Sequence, residues 1–216
     1  MSDLAVLLGQ GGAVVSILIG LSVIALTVIL VKGWEYLRLR NLPEAAYQSA
    51  LTGALRGQFP AELQGSRDPV AGLLRHMAGL PVGIREESDR LRAESRRWAQ
   101  QALGQLTGHL RILEVVANIA PLLGLFGTVL GMIEAFRAME AAGSQVDPAV
   151  LSGGIWVALL TTAVGLAVAI PVSMTHSWFE RRAEVQAHRL QDAIEQLITQ
   201  QLSQPVAAQL ASSRAA

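Results

Sequence analysis

Three long runs without a charged residue divide the chain. None occurs between Asp3 and Lys32, where residues 13–31 read AVVSILIGLSVIALTVILV. The 19 residues VVANIAPLLGLFGTVLGMI separate Glu114 from Glu134, and 32 uncharged residues, centred on GGIWVALLTTAVGLAVAIPVSM, separate Asp147 from Glu180. A helix needs about 20 apolar residues to cross the hydrocarbon core of a bilayer. Each run therefore predicts a membrane span, over residues 13–33, 112–136 and 152–178. The first run has no basic n-region, is longer than the apolar part of a secretory signal, and has no small-residue cleavage site after it. It reads as a retained span and not as a cleaved leader.

Between the spans the polar positions follow helical spacing. Pro43, Pro60, Pro69 and Pro81 divide the front of the 34–111 region into short helices. From 84 to 113 there is no proline, and Leu91, Trp98, Ala102, Leu106 and Leu110 recur on one helical face. This predicts a helix running unbroken into the second span. Residues 180–202 continue the third span with a stripe of Val185, Leu190, Ile194 and Leu197. The small, polar residues 203–216 predict an irregular tail. With no period-two alternation and no internal repeat, the chain reads as an all-α integral membrane protein whose second and third spans extend beyond the bilayer.

Charge decides the orientation. Lys32, Arg38 and Arg40 follow the first span, Arg111 precedes the second, and Arg181 and Arg182 follow the third, whereas the loop 137–151 offers only Arg137. The positive-inside rule places 34–111 and 179–216 in the cytoplasm and 1–12 and 137–151 outside. Trp34 and Trp178 fall at the cytoplasmic ends of their spans, where amphipathic rings favour the headgroup layer. Arg111, Arg181 and Arg182 are the expected contacts to lipid headgroups.

Composition removes several kinds of chemistry. The 216 residues are 16% charged, against roughly 25% in a soluble domain. The absence of cysteine rules out disulfides, thiolate metal sites and a thiol nucleophile. Net charge of zero and 5% aromatics give no case for nucleic acid. His76, His109, His176 and His188 lie on separate elements, there is no Walker sequence, and no strand precedes Gly9, Gly11 and Gly12. No cofactor, metal or enzymatic activity is expected. The spans say more. Pro121, Gly124, Thr128 and Gly131 make one small face in the second, and Ala158, Thr162, Gly165 and Ala169 make another in the third. Two readings stand side by side. Small faces let membrane helices approach closely, with each threonine bonded to a carbonyl one turn back. Alternatively, Pro121 and Pro171 each free a carbonyl, which suits a surface enclosing a further helix or a narrow polar path.

The stretches VVANIAPLLGLFGTVLGMIEAF (115–136) and SGGIWVALLTTAVGLAVAIP (152–171) resemble the MotA/TolQ/ExbB proton-channel family, and most closely its ExbB biopolymer-transport branch. The three-span layout with a large insert after the first span extends the likeness. The four-span stator members fit less well, and the TolQ branch shares both motifs and layout. The resemblance implies a bacterial inner-membrane homopentamer, N-terminus periplasmic, with the second and third spans lining a central pore. Gly124, Gly127, Gly131 and Gly165 would permit the close helix approach such a ring needs. The pore would hold an ExbD- or TolR-like subunit whose membrane aspartate takes the proton, and motion would pass to a TonB- or TolA-like protein. Thr128 and Thr162 match the family's LGLxGT and LLxTAxGL threonines, which implies a place on the proton path. One position departs from the pattern: Val157 stands where many members carry glutamate. The partner aspartate and the threonines suffice without it, or conduction is weakened in a specialised paralogue, or the position carries a substitution. A non-conducting membrane scaffold on the same fold is the reading that Val157 keeps open.

Overall fold

The computed structural model describes residues 2–39, 42–81, 87–142 and 148–214. Among these there are helices and turns and no strand. Six α-helices follow in order: α1 (Ser2–Leu37), α2 (Glu44–Arg56), α3 (Pro69–Ala78), α4 (Ser88–Thr107), α5 (Leu110–Ala142) and α6 (Pro148–Arg214), with one short 3-10 turn at Ala61–Leu63. Three of them are long and apolar enough to cross a membrane, over Gly12–Leu37, Leu110–Ala141 and Leu151–Leu202. α1 is interrupted at Gly12, whose φ of 60° and ψ of −156° lie outside the helical region and suit a residue without a side chain.

The chain divides into two compact units, an apolar one made of Met1–Lys32 and His109–Phe179 and a polar one made of Gly33–Gly108 and Glu180–Ala216. In the apolar unit Val14 and Leu18 of α1 pack with Ala120 of α5 and Ala169 of α6. Much of its hydrophobic surface faces outward. Leu26, Leu30, Leu122, Leu125, Phe126, Leu159 and Ile170 are all more than half exposed, as residues facing lipid or another apolar helix must be. Lys32, at the end of the uncharged run of α1, is buried. The prolines Pro121 and Pro171 both lie inside helices that continue through them.

The polar unit has a core of its own. Leu51 of α2, Leu73, Leu74 and Met77 of α3, Leu91 of α4 and Leu190 and Leu197 of α6 are fully buried together. Each such side chain contributes about 1.5–3 kcal/mol by leaving water. α2 stops at Gly57, which is left-handed (φ 74°) and lets the Gln58 N–H close on the Gly53 carbonyl at 2.9 Å. α3 starts with Asp68 at its N-cap and Pro69 at the first helical position. Asp68 is also a hub. Its Oδ1 accepts from the Val70 N–H at 2.8 Å, and its Oδ2 accepts from the Leu42 N–H at 2.7 Å and from Arg189 Nη2 at 3.0 Å. A single buried carboxylate thus ties the α1–α2 connection, the start of α3 and the polar end of α6.

Three expectations are corrected. The helix predicted to run unbroken from 84 into the second span is interrupted: α4 ends at Thr107 and α5 starts at Leu110. Gly108 keeps helical angles (φ −53°, ψ −30°), but the register tightens there, with the Ile112 N–H on the His109 carbonyl at 3.2 Å. The glycine offers no side chain to stiffen the joint. Residues 82–86, part of the same expectation, lie outside the described residues. Val185 is 42% exposed, and Ala183 and Gln186 take its place on the buried face beside Leu190, Ile194 and Leu197. Finally, α6 runs on to Arg214, so the tail expected to be irregular is helical over most of its length. At 67 residues, α6 has more than three times the about 20 residues that a span needs.

Candidate functional site

α5 and α6 pack antiparallel along a seam of small residues. Gly124 stands against Gly165, Gly127 against Thr161, Gly131 against Ala158, and Gly154 against Ala135. The fit leaves no room for side chains. A methyl at Gly165 would lie 2.6 Å from the Ala120 carbonyl oxygen and 3.0 Å from Gly124 Cα, and one at Gly127 would lie 2.6 Å from Thr161 Oγ1. These contacts are within one chain, between its own second and third spans. Gly124, Gly127, Gly131 and Gly165 are therefore engaged before any neighbouring copy is considered.

The seam fixes where the threonines sit. Because Gly127 faces Thr161 and Gly124 faces Gly165, Thr128 and Thr162 stand at the same depth to within about one helical turn. Val157 precedes Ala158, which faces Gly131, so it lies about a turn further along. All three side chains are half-buried. Thr128 Oγ1 donates to the Leu125 carbonyl one turn back at 2.7 Å, whereas Thr162 Oγ1 donates across the seam to the Gly124 carbonyl at 3.2 Å. A hydroxyl that donates its one proton still has lone pairs with which to accept. Each threonine can thus receive a hydrogen bond from a water or a protonated carboxyl brought beside it.

Thr161 was not singled out from the sequence. It is 2% exposed, donates to the Ala158 carbonyl at 2.7 Å and sits 3.3 Å from the Gly124 carbonyl that Thr162 also uses. The doubled threonine in LLTTA was the visible signal, but only the packing shows which of the pair fills the seam. Asp68 was missed as well, although an aspartate before a proline and an apolar run is a readable helix start. Of the three arginines expected at headgroup level, Arg111, Arg181 and Arg182 are all exposed, and Arg181 pairs with Glu184 at 3.3 Å. Among the described residues no three His, Asp or Glu side chains come together as a metal-binding group.

The fold and the seam define a polytopic helical membrane protein with two spans in close antiparallel contact and two threonine hydroxyls level to within about a turn. The profile of the MotA/TolQ/ExbB proton channel family matches residues 70–192, more than half of the chain, and the chain belongs to that family. Among its relatives, the biopolymer transport protein exbB1 of Vibrio cholerae is 39% identical over 97 residues, 43% of this chain and 42% of that protein. The ExbB-like 1 protein of Synechocystis is 31% identical over 169 residues, 74% of this chain and 64% of its own length. The Tol-Pal system protein TolQ of Pseudomonas aeruginosa is 38% identical over 81 residues, 38% of this chain and 35% of its own. The chain thus spans less than two thirds of the length of each of these relatives.

Proposed function

We propose that this chain is the ring-forming subunit of a proton-driven motor in the bacterial inner membrane, of the ExbB type. Five copies enclose the single spans of an ExbD- or TolR-like partner, with the N-terminus periplasmic and residues 34–111 and 179–216 cytoplasmic. The partner's aspartate takes a proton at the level of Thr128 and Thr162, and the resulting motion passes to a TonB- or TolA-like protein that energises the outer membrane. The observation that carries this reading is the antiparallel seam that sets the two hydroxyls at one depth. An aspartate in low dielectric is costly unless it is hydrogen-bonded. Two hydroxyls with open lone pairs supply such bonds to its protonated form without adding a charge.

The reading is tested by reconstituting the chain with its partner in liposomes and measuring proton uptake under an imposed potential. The expected result is flux that disappears when the partner's membrane aspartate is changed to asparagine. Equal flux in both preparations would reject the mechanism. Val157 favours a second reading, a scaffold that holds the partner without conducting, because no carboxylate replaces the family glutamate within 115–133 or 148–179. That reading predicts a stable complex with no flux at all.

A further inference from the structure

The polar unit contains a cleft of about 400 Å³ formed by the end of α1, the loop before α3, α3 itself and α4. Its charged lining is Glu35, Arg38, Arg67, Asp68 and Arg75, and Trp98 forms its apolar wall. Trp98 closes in where Gly72 has no side chain, since a methyl there would lie 2.8 Å from the indole Cη2. Three arginines and two carboxylates line it, but Asp68 is already matched. Its oxygens accept from two backbone N–H groups and from Arg189 at 3.0 Å. The cleft is left with an excess of positive charge.

Two of the three arginines are held in position rather than neutralised. The Arg38 guanidinium lies 4.6 Å from the centre of the Trp34 ring, and Arg75 donates to the Gln64 carbonyl. Arg67 is exposed and has no ion-pair partner among the described residues. Guanidinium groups fixed in this way around a cavity match the tetrahedral oxygens of a phosphate, which they bind in a bidentate manner. The location adds a second constraint. Arg38 lies six residues beyond Lys32, where the uncharged run of α1 ends, so the chain itself keeps it within about 20 Å of that point. Headgroups occupy the zone just outside the hydrocarbon core.

We propose that this cleft binds a phosphate group, carried either by an anionic phospholipid or by a soluble phosphate ester. The proposal requires only that the chain sits in a membrane and is independent of proton conduction. It is also separate from Arg111, Arg181 and Arg182, none of which lines the cleft.

The test uses the full chain in detergent, delipidated, with two probes. Phosphatidylglycerol and phosphatidylcholine are titrated by native mass spectrometry, and glycerol 3-phosphate by calorimetry. The variants are Arg67→Gln and the double variant Arg38→Gln/Arg67→Gln, with Arg56→Gln as the control, an exposed arginine outside the cleft. Circular dichroism confirms that each is folded. Losing two charge-assisted contacts should weaken binding by about tenfold or more in the double variant, with a partial loss in Arg67→Gln and none in Arg56→Gln. A loss confined to phosphatidylglycerol identifies a lipid headgroup as the source, and a loss confined to glycerol 3-phosphate identifies a soluble ester. Wild-type protein that binds neither probe, or a double variant that binds both as wild type does, overturns the proposal.

Discussion

Replacing Gly165 by alanine tests the seam at its tightest point. The added methyl would meet the Ala120 carbonyl oxygen at 2.6 Å, Gly124 Cα at 3.0 Å and Gly124 N at 3.3 Å, all of them backbone atoms that cannot rotate away. Restoring ordinary contact requires α5 and α6 to part by about 1 Å. Overpacking of this kind costs about 1–3 kcal/mol. The same movement stretches the 3.2 Å bond from Thr162 to the Gly124 carbonyl past bonding distance, a further loss of about 0.6 kcal/mol in a membrane setting. Alanine recovers about 1 kcal/mol of helix propensity over glycine. The net destabilisation is about 0.6–2.6 kcal/mol. Gly153 supplies the internal control, because a methyl there meets nothing within 4 Å, so Gly153→Ala should be neutral or mildly stabilising. The assay is equilibrium unfolding by a denaturing detergent, followed by tryptophan fluorescence from Trp156 and Trp178 on α6. A Gly165→Ala protein as stable as the Gly153→Ala control would refute the close packing described here.

Asp68→Ala should destabilise the polar unit by about 2–4 kcal/mol, because it removes an N-cap and leaves Arg189 without its carboxylate. The midpoint of thermal unfolding by circular dichroism measures this, and a shift no larger than that of a surface substitution would count against the hub. Burial, reinforced by Glu44 and Asp192 and opposed by Arg189, raises the Tyr47 phenol from 10.0 to about 12. The folded state therefore keeps a proton that the unfolded state releases. The stabilisation is fully present below pH 10 and is lost as the pH rises through about 12. In Tyr47→Phe that segment of the stability curve should flatten, and an unchanged slope would show that Tyr47 does not cause it. Val157→Glu restores the carboxylate found in many family members. It should leave assembly with the partner intact while raising proton flux or shifting its pH dependence, and a failure to assemble would show that the site does not accept a charge.

The spans were legible because the bilayer imposes a crude rule, about 20 apolar residues without a charge, and Gly12 breaks α1 just before the predicted start at 13. The polar unit was legible through its prolines and the Leu190–Ile194–Leu197 stripe. The joint at Gly108 was not, because a helix-compatible glycine leaves no mark in the apolar periodicity across it. The small faces were visible, but spacing cannot tell whether a glycine faces a helix of its own chain or of a neighbour. In the fold Gly124, Gly127, Gly131 and Gly165 each lie against α6 or α5 of the same chain. Composition likewise left open which hydroxyl of Thr161 and Thr162 fills the seam. That depends on helix rotation, which is set by the methyl-sized gaps opposite Gly127.

In the proposed mechanism the hydroxyls of Thr128 and Thr162 serve the proton and not only the packing. Valine has almost the shape of threonine without the hydroxyl, so Thr128→Val/Thr162→Val keeps the steric fit while removing both hydroxyl acceptors. The decisive measurement is proton flux through the reconstituted partner complex of this double variant, alongside co-purification of the partner as a check on assembly. An intact complex whose flux is abolished relative to wild type is the expected result. Undiminished flux from the double variant would contradict it and assign both threonines to helix packing alone.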